Sequence, residues 1–122
     1  MEKQNISEHR LQYAIHTLLS RFGIVHFETD VMDALKYFGR NQRLRLGYIS
    51  HHKKMGYTVG QPDLVVLASG KVYFVELKTE KGRQSKEQRQ FQEIVTAKGY
   101  NYLIWRSLDD CLNFIKERKN EL

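Results

Sequence analysis

The sequence contains a single cysteine, no hydrophobic run of membrane-spanning length, no internal repeat and no low-complexity tract. One thiol excludes an internal disulfide framework, and Cys111 falls at an apolar position of an expected helix, where cysteine behaves as a small buried hydrophobe. No apolar stretch approaches the roughly 18 to 20 residues that cross a bilayer, and Met1–Asn5 does not lead into a signal-peptide core. A cytosolic protein without a membrane role is therefore expected. No His and Cys cluster has zinc spacing, and the adjacent pair His51-His52 reads as loop surface. Acidic residues are also missing from one long stretch: between Asp33 and Asp63 there is none, while Lys36, Arg40, Arg43, Arg45, Lys53 and Lys54 all fall there.

That imbalance contributes to a formal net charge of +6. Interleaved with Tyr37, Phe38, Tyr48 and Tyr57, the basic stretch suits a polyanion that also offers faces to stack on, namely nucleic acid. A solvated basic surface over a few core aromatics is the competing reading. Otherwise the composition is that of a globular chain, with 41% hydrophobic and 28% charged residues. At 122 residues the expectation is one domain over residues 1–122, folding alone or as a dimer.

Apolar residues recur at Leu11, Ile15, Leu18 and Phe22 with helical period, Asn5 and Glu8 have capping-box spacing, and Gly23 ends the helix. Ile24 to Thr29 reads as a strand and Val31 to Phe38 as a short helix closed by Gly39. Arg40 to Gln61 is glycine-dotted, basic and aperiodic, the pattern of a functional loop or flap. Two strands follow, Asp63–Ala68 and Lys71–Lys78, joined by the tight-turn pair Ser69-Gly70. Ser85 and Gln88 open a helix with Phe91, Ile94 and Val95 on its apolar stripe; Tyr102–Trp105 is a strand; Ser107 and Asp110 start the last helix, whose charged tail from Lys116 is expected to fray. A right-handed crossover through the Ser85 helix makes the Lys71 and Tyr102 strands parallel. The class is α/β, with a mixed central sheet of about four strands flanked by helices.

Counting outward from Ser69-Gly70 sets Ala68 opposite Lys71 and Asp63 opposite Glu76. Opposed residues have Cβ atoms about 4.5 to 5.5 Å apart, where two carboxylates repel unless a positive charge sits between them. Oxygen donors with room for water and phosphate suit Mg²⁺ or Mn²⁺. Strand alternation brings Lys78 to the same face, an ammonium able to orient water or to stabilise charge on a phosphoryl group. A cross-strand salt-bridge cluster on a solvated face is the alternative. Against it, Val65, Leu67, Val72 and Phe74 share the face of the charged trio, which is thus expected to be largely buried, and Leu64, Val66, Tyr73, Val75 and Leu77 make the other face apolar too.

The run Gly60-Gln61-Pro62-Asp63, then Glu76-Leu77-Lys78, then Gln88 in the next helix resembles the PD-(D/E)xK nuclease signature. More narrowly the chain resembles the virus-type replication-repair nuclease (VRR-NUC) domain over nearly its whole length. The resemblance implies a restriction-endonuclease-like core, dependence on Mg²⁺ or Mn²⁺, and hydrolysis of DNA. It implies Asp63, Glu76 and the backbone carbonyl of Leu77 as metal ligands, Lys78 as the water-positioning or charge-stabilising residue, and Gln88 as a support. Glu8 matches the acid of the first helix and would approach the metal, or else only cap with Asn5; Gln88 would likewise act in the site or only cap with Ser85. Lys81, Arg83 and Lys86 follow the site and would hold the DNA backbone together with Arg40, Arg43, Arg45, Lys53 and Lys54, although exposed lysines near a helix start are commonplace. The expected substrate is branched DNA such as a Holliday junction, cut by a homodimer in a cytoplasmic repair setting, bacterial or phage-encoded. A flap nuclease, exonuclease or nicking enzyme of phage replication is the alternative within the enzyme class. Outside that class stands a non-cleaving nucleic-acid-binding module, against which the presence of all three core residues argues.

Overall fold

A computed structural model describes residues 7–29 and 31–119, except for the side chain of Asp33. Helix α1 (Glu8–Arg21) begins after Ser7, whose hydroxyl accepts from the Arg10 N–H. Ser7 is therefore the N-cap where Asn5 was expected; Asn5 lies outside the described residues, and Glu8 is the first helical residue. The stripe of α1 facing inward is Leu11, Ile15 and Leu19, with Leu18 half-buried and Phe22 turned out to solvent at the helix end.

Strand β1 (Val25–Glu28) leads to a 3-10 helix (Met32–Phe38) that stops at Gly39. Next comes α2 (Gln42–Lys54), where an aperiodic loop was expected. The Asn41 side chain caps α2 by accepting from the Leu44 N–H, and Lys53 and Lys54 in its last turn complement the helix dipole. Its sequence hides the helix because none of its residues is buried, so there is no core stripe to impose the 3.6 period. Among the described residues α2 packs on no other helix or strand than the 3-10 helix, through the stacked rings of Phe38, Tyr48 and His52 and a hydrogen bond from the Tyr48 hydroxyl to the Val31 carbonyl. The pair forms an arm beside the core.

Strands β2 (Leu64–Ala68) and β3 (Lys71–Leu77) meet at Ser69-Gly70, both with positive φ (55° and 71°), the conformation a tight hairpin needs. Ala68 pairs with Lys71 and Leu64 with Val75, the register read from the sequence. Helix α3 (Lys86–Ala97) carries the chain across to β4 (Asn101–Trp105), which runs parallel to β3, and α4 (Leu108–Glu117) closes the chain. The sheet order is β1-β2-β3-β4, with both other pairings antiparallel. The tail past Lys116 does not fray at Arg118: its guanidinium lies 3.8 Å from the Phe114 ring centroid and 4.8 Å from that of Tyr73.

One face of the sheet makes the core. Leu64, Val66, Ala68, Tyr73, Val75, Leu77 and Trp105 pack there against α1 and α4, with Cys111 fully enclosed. On the other face α3 covers β3 and β4, where Phe91 meets Phe74 edge-on at 5.6 Å. The cover does not extend to the hairpin tip: Leu67 and Val72 are 38% and 40% exposed, so the face carrying the charged trio is sheltered only toward its Asp63 and Lys78 end. The expected burial of that whole face is thus corrected: Val65 is buried, but among the described residues α3 makes its element contacts with β4 and none with β2, and the hairpin tip is left open. No described helix is long and apolar enough to cross a membrane.

Candidate active site

Glu76 and Lys78 are the buried charged side chains among the described residues, at 2% and 9% exposure. Burying a carboxylate and an ammonium costs several kcal/mol each unless charge and hydrogen bonds compensate, so their partners identify what the site is built to hold. Both point to the α3 side of the sheet through strand alternation.

Asp63 sits one residue before β2, opposite Glu76, and its Oδ2 accepts from the Leu77 N–H at 2.7 Å. The segment that presents it is tied to the end of β1: Thr29 N–H donates to the Asp63 carbonyl, the Thr29 hydroxyl donates to the Pro62 carbonyl, and Gln61 Nε2 donates to the Thr29 carbonyl at 2.7 Å. Gly60 makes this approach feasible. Its φ is 89°, and a Cβ there would lie 2.4 Å from the Glu87 carbonyl carbon and oxygen and 2.8 Å from the Gln88 nitrogen. The glycine at the head of the motif is where the Asp63 segment touches the first turn of α3.

That first turn supplies Gln88. Its Oε1 accepts from the Ser85 N–H while its own N–H donates to the Ser85 hydroxyl, completing a capping box, and its Nε2 donates to Glu76 Oε1 at 3.0 Å. Capping and contact with the carboxylate, weighed as alternatives from sequence, coexist because the two ends of one carboxamide serve them separately. Lys78 Nζ stands 3.9 Å from Glu76 Oε1 and 4.0 Å from Glu8 Oε1. Glu8 thus enters the site through the lysine, and the alternative of a cap shared with Asn5 lies outside the described residues.

Burial, then the hydrogen bond to Asp63 and the charge of Asp63, push the Glu76 carboxyl up to about 9; Lys78 pulls it down, and Glu8 adds to the rise. Without a further positive charge Glu76 therefore holds a proton near neutral pH. The Leu77 peptide completes the oxygen set. The Lys78 N–H donates to the Trp105 carbonyl, so the Leu77 carbonyl of the same peptide points away from β4, toward the Asp63 side. No group of three or more His, Cys, Asp or Glu side chains able to cage a metal is present among the described residues. Two carboxylates and a carbonyl nevertheless suit a hard cation, because Mg²⁺ is typically held by one or two carboxylates, with water and substrate phosphate completing the shell.

Two residues of the site escaped sequence reasoning. The Tyr102 hydroxyl donates to Glu76 Oε2 at 3.5 Å and accepts from Gln84 Nε2 at 3.3 Å. Burial and the neighbouring Glu76 raise the phenol well above its ordinary range, so it stays a donor. The signal lay in the parallel pairing: Tyr102 opposite Phe74 faces the same side as Glu76.

The basic residues divide into two groups. Lys81, Arg83 and Lys86 are exposed on the loop and helix start next to the site; Arg106 Nη1 pins that loop by donating to the Thr79 and Gly82 carbonyls at 3.0 and 2.6 Å. Arg40, Arg43, Lys53 and Lys54 are exposed on the α2 arm. Arg45 is directed inward instead, donating to the Leu35 and Gly39 carbonyls at 2.9 and 3.4 Å.

No protein-family profile matches the sequence, and no curated protein resembles it. Solved structures do. One, described as a VRR_NUC domain, is 22% identical with a TM-score of 0.59, over 89% of this chain and 94% of its own. Another, described as a VRR_NUC domain protein, is 16% identical with a TM-score of 0.67, over 93% of this chain and 88% of its own. The chain has the fold of the VRR-NUC domain.

Proposed function

We propose that the protein is a Mg²⁺- or Mn²⁺-dependent nuclease that hydrolyses phosphodiester bonds in branched DNA, working as a homodimer on cytoplasmic repair or replication intermediates. The observation that carries the reading is the buried Glu76 carboxylate facing Asp63, with a pKa raised to about 9 and a buried ammonium alongside. Such a pair is costly in a merely structural role and useful where a divalent cation is to be bound. Asp63, Glu76 and the Leu77 carbonyl would hold the cation, with Glu8 near enough to join through water. When bound, the cation supplies Lewis-acid polarisation of the scissile phosphate and a lowered pKa for coordinated water.

The chain's own groups do the rest. Gln88 fixes Glu76 Oε1 through a hydrogen bond made from a capped helix terminus. The Lys78 ammonium, held between Glu76 and Glu8 and within hydrogen-bond range of neither, keeps its protons for an attacking water and for the charge that grows on the phosphoryl oxygens. The attacking water gives up a proton to solvent and its oxygen bonds to phosphorus as the bond to the leaving deoxyribose oxygen breaks, that oxygen taking a proton from bulk water. Lys81, Arg83 and Lys86 would grip the phosphates at the cut. The α2 arm, with Arg40, Arg43, Lys53 and Lys54, offers a second basic region apart from the first, which favours a substrate with two duplex arms over a plain duplex. The exposed Val25, Phe27, Leu67 and Val72 on the open end of the sheet give a second copy apolar surface to cover.

The test uses labelled four-way junction, 5′ flap, single strand and duplex with Mg²⁺, Mn²⁺ or EDTA, for the wild type and for Glu76→Ala and Lys78→Ala. Metal-dependent cutting of branched DNA, lost in both variants, is expected. Cutting that survives either EDTA or both substitutions contradicts the mechanism, and binding without cleavage on every substrate points to a non-catalytic module.

A further inference from the structure

We propose that Tyr102, oriented by Gln84, is a positioning residue that fixes the second oxygen of Glu76 for cation binding. The inference rests on the nuclease reading and names a residue that the motif does not contain. Glu76 has two carboxyl oxygens and a terminal torsion that is soft by nature, and its hydrogen bond to Asp63 is lost once a cation takes the place of the shared proton, so the bond to Oε1 alone would then leave the other oxygen free to swing. Gln88 Nε2 holds Oε1 at 3.0 Å from α3, and the Tyr102 hydroxyl reaches Oε2 at 3.5 Å from the neighbouring strand β4. A phenol has one proton to give. Because the Tyr102 oxygen accepts from Gln84 Nε2 at 3.3 Å, its own O–H is left to point at Glu76 rather than at the glutamine.

Gln84 is in turn fixed, its Nε2 also donating to Gln92 Oε1 at 3.0 Å from the second turn of α3. Three elements thus converge on one oxygen: β4 carries the phenol, the loop before α3 carries Gln84, and α3 carries the brace. The Tyr102 ring packs against Phe91 with centroids 6.4 Å apart, a contact that a phenylalanine keeps. The hydroxyl therefore separates from the packing. With a donor on each oxygen, the carboxyl plane is set before any cation arrives, and the edge it turns toward Asp63 carries the proton that a cation would displace. Residues that orient a metal ligand in this way typically change metal affinity or activity about 10- to 100-fold when removed.

The experiment measures Mn²⁺ binding to the full chain by electron paramagnetic resonance, with melting temperature and junction cleavage on the same samples. Tyr102→Phe is expected to bind Mn²⁺ about 10-fold or more weakly with its fold retained, and its cleavage to recover as Mn²⁺ is raised. Gln84→Met, which keeps the phenol but removes its orienting donor, should move in the same direction by a smaller factor. Tyr100→Phe, the control, removes an exposed phenol whose ring meets Phe74 at 6.2 Å, and should match the wild type. Should Tyr102→Phe fail to fold, Gln84→Met decides alone. Wild-type Mn²⁺ affinity in Tyr102→Phe, or a cleavage defect that added Mn²⁺ does not relieve, overturns the role of Tyr102 while leaving the nuclease reading intact. A wild type that neither binds Mn²⁺ nor cleaves overturns the nuclease reading, and this inference with it.

Discussion

Replacing Glu76 with glutamine should make the metal-free protein more stable and inactive at the same time. The carboxyl titrates near 4.5 in the unfolded chain and about 9 in the fold, so at pH 8 the folded protein retains a proton that the unfolded chain has released. A raised folded-state value means that this group's contribution is fully present below pH 4.5 and is lost as pH climbs toward 9. At about 1.4 kcal/mol per pH unit, the span from 4.5 to 8 sets a ceiling of about 5 kcal/mol, of which on the order of 2 should survive relaxation of the surrounding charges. Glutamine keeps the size of Glu76 and an oxygen for Gln88, and its amide can donate to Asp63 as the protonated acid does, while the long hydrogen bond from Tyr102, which an amide nitrogen cannot accept, is given up. For a domain of this size about 2 kcal/mol corresponds to a melting-temperature gain on the order of 10 °C. The assay is thermal unfolding in EDTA from pH 5 to pH 9. The gap between Glu76→Gln and wild type should be small at pH 5 and widen with pH, and Mn²⁺ should narrow it by stabilising the wild type alone. A variant no more stable than wild type at pH 8, or a gap independent of pH, would refute the reasoning.

Gly60→Ala should cost about 3 kcal/mol or more in urea unfolding, since it combines positive φ with a clash against the Glu87 carbonyl; a loss under about 1 kcal/mol would mean that the segment and α3 separate freely. Lys53→Ala with Lys54→Ala should lower the slope of log affinity against log salt for junction DNA by as much as about 2, and an unchanged slope would remove the α2 arm from the DNA interface. Cys111, fully buried with its thiol pushed up to about 12, should resist iodoacetamide at pH 8 in the native protein and react only on unfolding, as intact-mass spectrometry would read.

The hairpin was the most legible part of the chain. A two-residue turn fixes register by counting, and register alone placed Asp63 against Glu76. The capping pairs at Ser85 and Ser107 likewise gave α3 and α4, since each side chain meets the N–H it was expected to meet. Helix α2 was illegible for a physical reason: its polar contacts are made by Arg45 and Tyr48 to backbone carbonyls, and it buries no side chain to mark its inner face. The same limit hid Tyr102. Its role depends on a parallel pairing across a helix crossover, a long-range contact that no local spacing encodes, whereas Asp63 and Glu76 are joined by the turn itself. The motif glycine was visible as a letter, but its reason, the backbone of α3 within 3 Å, belongs to tertiary packing.

The chemistry turns on whether Asp63 and Glu76 hold a divalent cation that makes the site cut DNA. Cleavage of a labelled four-way junction by wild type and Glu76→Gln, in Mn²⁺ and in EDTA, addresses that directly. The prediction is cutting by wild type in Mn²⁺ alone and none by the more stable variant; cutting in EDTA, or by Glu76→Gln at the wild-type rate, would contradict it.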